Sequence, residues 1–104
     1  MAANRRPTAL LVDDQLVSRK TEQARLEGEG YTVFAAGGQA EALSQARQTS
    51  PDVIFVHLAT AGGNLPLIQA LRSDDSCRHI PVAVIRGNAL PPRTKLRSVP
   101  RDAW

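Results

Sequence analysis

The chain has 104 residues, of which 42% are hydrophobic and only 4% aromatic, and its formal net charge is +3. This length allows one domain with a single, largely aliphatic core, and no apolar run approaches the roughly 20 residues that a membrane span needs. The single cysteine, Cys77, excludes an internal disulfide and is typical of a reducing compartment. No apolar run follows Arg5 and Arg6, so we expect no signal peptide, no membrane contact and a cytoplasmic protein.

The positive charge is concentrated at the C-terminal end of the chain. Residues 1–90 contain nine of the 13 basic and nine of the 10 acidic side chains, so the excess lies in residues 91–104. A short basic tail can contact nucleic acid or an acidic partner, and it can equally be a solvated linker. Because the body is neutral, we do not expect nucleic acid as its partner, and the role of the tail stays open.

The first half of the chain alternates short apolar runs with helical segments. It predicts a strand over 8–12, a helix over 15–29, a strand over 31–36 and a helix over 39–48. Asp14 is a good N-cap for the first helix, because its carboxylate can accept hydrogen bonds from the first N–H groups. The apolar stripe of this helix is weak: it consists of Val17, Thr21, Ala24 and Gly28, with Leu16 and Leu26 beside it.

The run from Val53 to Leu58 is the centre of the second half. Only His57 interrupts its apolar residues, which is typical of a parallel strand buried on both faces. A helix over 64–73, capped by Asn64, and a strand over 80–85 follow. The order β-α-β-α-β-α-β predicts an α/β fold, with a parallel sheet covered by helices on both faces. Ligands of such sheets bind beyond the carboxyl ends of the strands, where His57 lies.

Four segments in this order resemble the receiver domain of bacterial response regulators, the flavodoxin-like domain of two-component signalling. They are L-L-V-D-D at the end of the first strand, E-G-Y-T-V-F-A-A at the second, P-D-V-I-F-V-H-L at the third and H-I-P-V-A-V-I at the fourth. The resemblance covers residues 8–87, leaving an N-terminal extension over 1–7 and a basic, proline-containing tail over 88–104. It implies a flavodoxin-like sheet ordered 2-1-3-4-5, which this sequence follows only to its fourth strand.

The functional positions of the family, carried over residue by residue, have largely changed. Asp13 and Asp14 match the acidic pair that helps to bind Mg²⁺, but the phosphoaccepting aspartate falls at His57. The metal-binding backbone carbonyl falls at Ala59, and the Thr/Ser switch position falls at Arg86. The Lys-Pro pair that follows the family's fifth strand has no recognisable counterpart.

These changes predict a degenerate receiver, or pseudo-receiver. Without a carboxylate at position 57 we expect no aspartyl phosphorylation, and Mg²⁺ binding that is lost or weak. Such a domain is not an enzyme and needs no cofactor. It is expected to act in a phosphorelay by binding a protein partner, whether a kinase, a regulator or a second copy of itself.

His57 leaves several interpretations open. It can fill the vacated pocket through a hydrogen bond to an aspartate, or it can accept a phosphoryl group. It can also join Asp13 and Asp14 as a ligand for a softer metal such as zinc. The protein would then be a metal- or small-ligand-binding flavodoxin-like domain. Arg86 can pair with Asp13 or Asp14, which would lock the site in one charge state, or it can point to solvent.

If the sheet stops at the fourth strand, that strand is an edge. Val82, Val84 and Ile85 are then expected to face water, which soluble proteins avoid. The tail can fold back over this edge through Val99 and Trp104, a second copy can pair there, or another protein can dock. We expect self-association or partner docking on this surface, with a homodimer as one outcome.

Overall fold

Strands and helices alternate throughout the described part of the chain. The structure, a computed structural model, describes residues 6–58 and 63–85. Its elements are β1 (Thr8–Asp13), α1 (Leu16–Gly28), β2 (Thr32–Ala36), α2 (Gln39–Thr49), β3 (Val53–His57), α3 (Leu65–Arg72) and β4 (Val82–Val84). None of these described helices has the length and the apolar character needed to cross a bilayer.

The four strands form one parallel sheet in the order β2-β1-β3-β4. β1 lies in the interior of the sheet, where Leu10 is paired with Phe34 of β2 on one side and with Ile54 of β3 on the other. Each helix connects two parallel strands, as the alternating pattern requires. The predicted flavodoxin-like α/β fold is therefore confirmed.

The two faces of the sheet have separate cores because side chains alternate along each strand. β1 contributes Leu10 and Val12 to one core, which α2 and α3 cover. Leu11 belongs to the opposite core, together with Phe55 of β3 and Leu26 of α1. We call this second side of the sheet the α1 face. Alternation places the last residues of β1 and β3 on the same face.

Helix α1 buries a different set of residues from the predicted apolar stripe. Val17 belongs to that stripe but is 79% exposed, whereas the buried residues of the helix are Glu22 and Leu26. The prediction followed the scattered apolar residues of a largely polar helix, and these do not define its phase. The predicted stripe was therefore wrong, and a glutamate faces the sheet in its place.

The two predicted caps have different roles from those expected. Helix α1 begins after Gln15 and not after Asp14, because β1 extends to Asp13, whose Oδ1 accepts a hydrogen bond from the Gln15 N–H at 2.9 Å. Asn64 does precede α3, but its Oδ1 accepts a hydrogen bond from the Leu58 N–H at 2.6 Å. The Asn64 side chain therefore connects the start of α3 to the end of β3.

β4 is shorter than predicted, and its side chains are exposed differently. Ile85 is 1% exposed, because its N–H donates to a β3 carbonyl at 2.9 Å and its side chain packs in the α1-face core. Val82 packs partly against the opposite core, so of the three predicted edge residues Val84 alone is exposed, at 42%. The prediction that Ile85 faces water was wrong. Val99 and Trp104 lie outside the described residues.

Candidate functional site at the carboxyl end of the sheet

Asp13 and His57 face each other at the ends of the two central strands. They are paired in register across β1 and β3. Each lies two positions after a residue of the α1-face core, Leu11 in β1 and Phe55 in β3, so both belong to the α1 face. His57 Nδ1 lies 3.5 Å from Asp13 Oδ2; the aspartate side chain is fully buried, and the histidine side chain is 16% exposed. The structure thus brings together two of the residues that the sequence singled out.

Groups from the β1–α1 connection and from α1 hold Asp13 in place. The Gln15 N–H donates to Oδ1 at 2.9 Å, and the Ser18 hydroxyl donates to Oδ2 at 2.5 Å. The Arg19 guanidinium donates to the backbone carbonyl of Asp13 at 2.9 Å. Because both carboxylate oxygens and the carbonyl have donors, the orientation of Asp13 is well determined.

Helix α1 brings a second buried carboxyl, that of Glu22, to this pair. Glu22 follows Ser18 by one helical turn and precedes Leu26 by another, so it lies on the buried side of the helix. It is 4% exposed, and no described group donates a hydrogen bond to either carboxyl oxygen. Nδ1 of His57 likewise has no hydrogen-bond partner within the described ranges. Asp13, Glu22 and His57 each offer one ligand atom within 4.8 Å of the other two.

The position of Glu22 changes its proton affinity. Burial raises the pKa of Glu22 from 4.5 to about 7, and so do the hydrogen bond that the protonated carboxyl can share with Asp13 and the charge of the Asp13 carboxylate, while His57 and Arg25 act in the opposite direction. Near neutral pH the Glu22 carboxyl is therefore divided between its protonated and ionised forms. A proton or a cation between the two carboxyls removes their mutual repulsion.

The remaining predicted site residues do not join this cluster in the described structure. Asp14 is half-buried and is not one of the three grouped ligands. Arg86 and Ala59 lie outside the described residues, so the pairing of Arg86 with an aspartate stays a prediction. Glu22 completes the cluster, and sequence reasoning missed it. The available signal was its four-residue spacing from Leu26, which places an acid on a potential buried face of the helix.

The fold and the site together define the class of protein. A parallel sheet ordered β2-β1-β3-β4, with helices on both faces and an acidic group at the carboxyl end of β1, is a flavodoxin-like domain of the receiver type. The polar-differentiation response regulator DivK of Brucella anthropi is 31% identical to the chain over 85 residues, which are 80% of this chain and 68% of that protein. The chain belongs to the response regulator receiver family and is a domain of two-component signalling. No protein-family model matches it.

Solved structures have the same fold. The N-terminal domain of a response regulator receiver protein from Methanoculleus marisnigri matches 86% of this chain and 75% of its own, with a TM-score of 0.73 and 24% identity. A sensor protein from Polaromonas matches 77% of this chain and 65% of its own, with a TM-score of 0.72 and 26% identity. The chemotaxis response regulator CheY4 of Vibrio cholerae matches 77% of this chain and 68% of its own, with a TM-score of 0.70 and 25% identity.

Proposed function

We propose that this domain works without phosphorylation, as a protein-binding module of a bacterial phosphorelay in the cytoplasm, and that it is not an enzyme. The observation that supports the proposal is the imidazole of His57 opposite Asp13. The family resemblance places the phosphoaccepting carboxylate at this position. An imidazole cannot form an aspartyl phosphate, and its nitrogen replaces an oxygen ligand of the kind that Mg²⁺ prefers.

The neighbouring carboxyls do not substitute for the one that His57 replaces. Both oxygens of Asp13 accept hydrogen bonds, from Gln15 and Ser18, so their lone pairs are partly engaged and their direction is constrained. Glu22 is buried on the α1 face, and its raised pKa leaves it partly protonated at neutral pH. A protonated carboxyl is a poor nucleophile toward a phosphoryl group, and hydrogen bonds to both oxygens weaken an ionised one. Binding is the remaining way for such a domain to signal.

Incubation with acetyl phosphate and Mg²⁺, followed by intact-mass spectrometry, tests this proposal. The wild-type chain is expected to keep its unmodified mass under conditions in which a receiver that carries the aspartate is labelled in parallel. The variant His57→Asp is the matched control, because it returns a carboxylate to the end of β3. A base-labile acyl phosphate on the wild-type chain contradicts the proposal. A base-stable phosphate on His57 contradicts it as well, since transfer would then use the imidazole.

The edge of the sheet at β4 is the surface that we propose for docking. Among the described strands β4 pairs with β3 alone, and Val84 is exposed there. An open edge is a template for a strand from another chain, and we propose a second copy of this chain as its occupant.

Sedimentation velocity should then show a concentration-dependent dimer that Val84→Lys weakens. A monomer at the highest concentration contradicts the homodimer. A pull-down with and without residues 88–104 then tests for a different signalling protein.

A further inference from the structure

We propose that Asp13, Glu22 and His57 form a binding site for one divalent transition-metal ion of the zinc type, in place of the Mg²⁺ site that the family resemblance implies. The three residues come from the end of β1, the middle of α1 and the end of β3, and they meet on the α1 face. This goes beyond the proposed signalling function and does not depend on it, because the site can hold an ion whether or not the domain accepts phosphate.

The donor atoms fit a softer cation better than Mg²⁺. Mg²⁺ prefers six oxygen ligands in a nearly ideal octahedron, whereas zinc is commonly bound by imidazole nitrogens and carboxylate oxygens in a tetrahedron. The cluster offers two carboxyls and one imidazole, which is a suitable set for three positions of a tetrahedron. His57 makes the difference, because an imidazole nitrogen is a poor ligand for Mg²⁺ and a good one for zinc.

The distances are also close to those of a tetrahedral site. Zinc bonds of this kind place neighbouring ligand atoms about 3.3 Å apart. His57 Nδ1 and Asp13 Oδ2 are already 3.5 Å apart, and Glu22 offers a carboxyl oxygen within 4.8 Å of a ligand atom of each. A shift of about 1 Å in the Glu22 side chain, well within the reach of its rotatable bonds, brings the third ligand to the ion.

A second observation points independently to a ligand. Glu22 is 4% exposed, and neither of its oxygens receives a hydrogen bond from any described residue; Nδ1 of His57 is buried and unpartnered in the same way. Buried polar atoms are almost always paired, since each unpaired one loses its hydration without compensation. One cation between these atoms satisfies the oxygens and the nitrogen together.

Asp13 has the support that metal-binding carboxylates usually have. Gln15 and Ser18 hold its two oxygens, so the ligand that faces His57 is oriented before an ion arrives. Such outer hydrogen bonds typically change metal affinity by about 10- to 100-fold when they are removed. The site thus consists of Asp13, held in place at the end of β1, His57 opposite it at the end of β3, and the helix ligand Glu22.

The test uses the full chain, stripped with a chelator and then titrated by calorimetry with Zn²⁺ and separately with Mg²⁺. We expect one equivalent of Zn²⁺ to bind, at least about tenfold more tightly than Mg²⁺. Co²⁺ should give the intense visible absorption of a tetrahedral ion, which an ion on a surface carboxylate does not give. Glu22→Gln and His57→Ala should each weaken Zn²⁺ binding by at least about tenfold. His79→Ala should leave it unchanged, since it removes the other, exposed histidine of the chain.

The variants also separate loss of the site from loss of the fold. Glu22→Gln keeps the shape of the side chain, so a folded variant with weakened Zn²⁺ binding supports the site. His57→Asp replaces the nitrogen by an oxygen and should move the preference from Zn²⁺ toward Mg²⁺. The proposal is overturned if Zn²⁺ binds no more tightly than Mg²⁺ to the wild type. It is equally overturned if Zn²⁺ binding survives both Glu22→Gln and His57→Ala, or is lost in His79→Ala.

Discussion

The carboxyl of Glu22 is buried beside that of Asp13, on the side of α1 that contacts the sheet through Leu26. Ionising both of these adjacent buried carboxyls costs free energy, so a proton or a cation between them is favoured. Burial and the adjacent Asp13 carboxylate raise the pKa of Glu22, so this carboxyl takes up a proton at a higher pH than an exposed glutamate does.

This relationship predicts an unusual dependence of stability on pH. The pKa of Glu22 is raised from 4.5 to about 7 on folding, so the folded state binds more protons than the unfolded state between these values. The free energy of unfolding should therefore fall as pH rises from 4.5 to about 7 and then become level. After allowance for solvent screening, the loss is on the order of 2 kcal/mol.

Urea unfolding of chelator-treated protein at a series of pH values measures this effect. Glu22→Gln should lack the decrease and should be more stable than the wild type at pH 7 and above. Glu27→Gln is the matched control, because Glu27 is an exposed glutamate on the same helix. If the free energy of unfolding falls equally with pH in the wild type and in Glu22→Gln, the proton is not held at Glu22.

The sequence predicted the strand-end part of this site and missed the helix part, for a physical reason. β1 and β3 are short apolar runs in a parallel sheet, so their last residues, Asp13 and His57, necessarily meet at the same edge. Helix α1 is mostly polar, and its few apolar residues include Val17, which faces solvent. The phase of such a helix depends on tertiary contacts at Glu22 and Leu26, and these are not visible in a weak apolar pattern.

The phase of α1 can be tested by a pair of truncations. Leu26 is fully buried in the α1-face core, so Leu26→Ala should lower the free energy of unfolding by about 2–5 kcal/mol. Val17 is largely exposed, and Val17→Ala should change the free energy of unfolding by less than about 0.5 kcal/mol. Denaturant unfolding of both variants gives the comparison. A larger loss for Val17→Ala would restore the stripe that the sequence suggested.

Acid should weaken the contact between α2 and the loop after α3. Hydrogen bonds from Ser76 and from the Arg47 guanidinium, at 2.7–2.9 Å, hold the pKa of Asp74 well below its ordinary value of 3.8. A carboxyl with a lowered pKa contributes stability above its unfolded value, and that contribution is lost as pH falls through the folded value. Stability should therefore decrease below about pH 4 less steeply in Asp74→Asn than in the wild type. Asp75 is an exposed neighbour, and Asp75→Asn should show the same decrease in stability in acid as the wild type.

The opposite end of the sheet from the site depends on Asp52. Its Oδ2 accepts a hydrogen bond from the Thr8 N–H at 2.7 Å, and its own N–H donates to the Thr8 carbonyl at 2.8 Å, so the residue before β3 is joined twice to the first residue of β1. Asp52→Ala leaves the Thr8 N–H without its acceptor and should lower the free energy of unfolding by about 1–2 kcal/mol. Asp52→Asn keeps an acceptor oxygen and should lose less. Because the change is far from Asp13 and His57 along both strands, Zn²⁺ binding should be the same in all three folded proteins. An Asp52→Ala variant as stable as the wild type would show that the backbone pairing alone aligns the two strands.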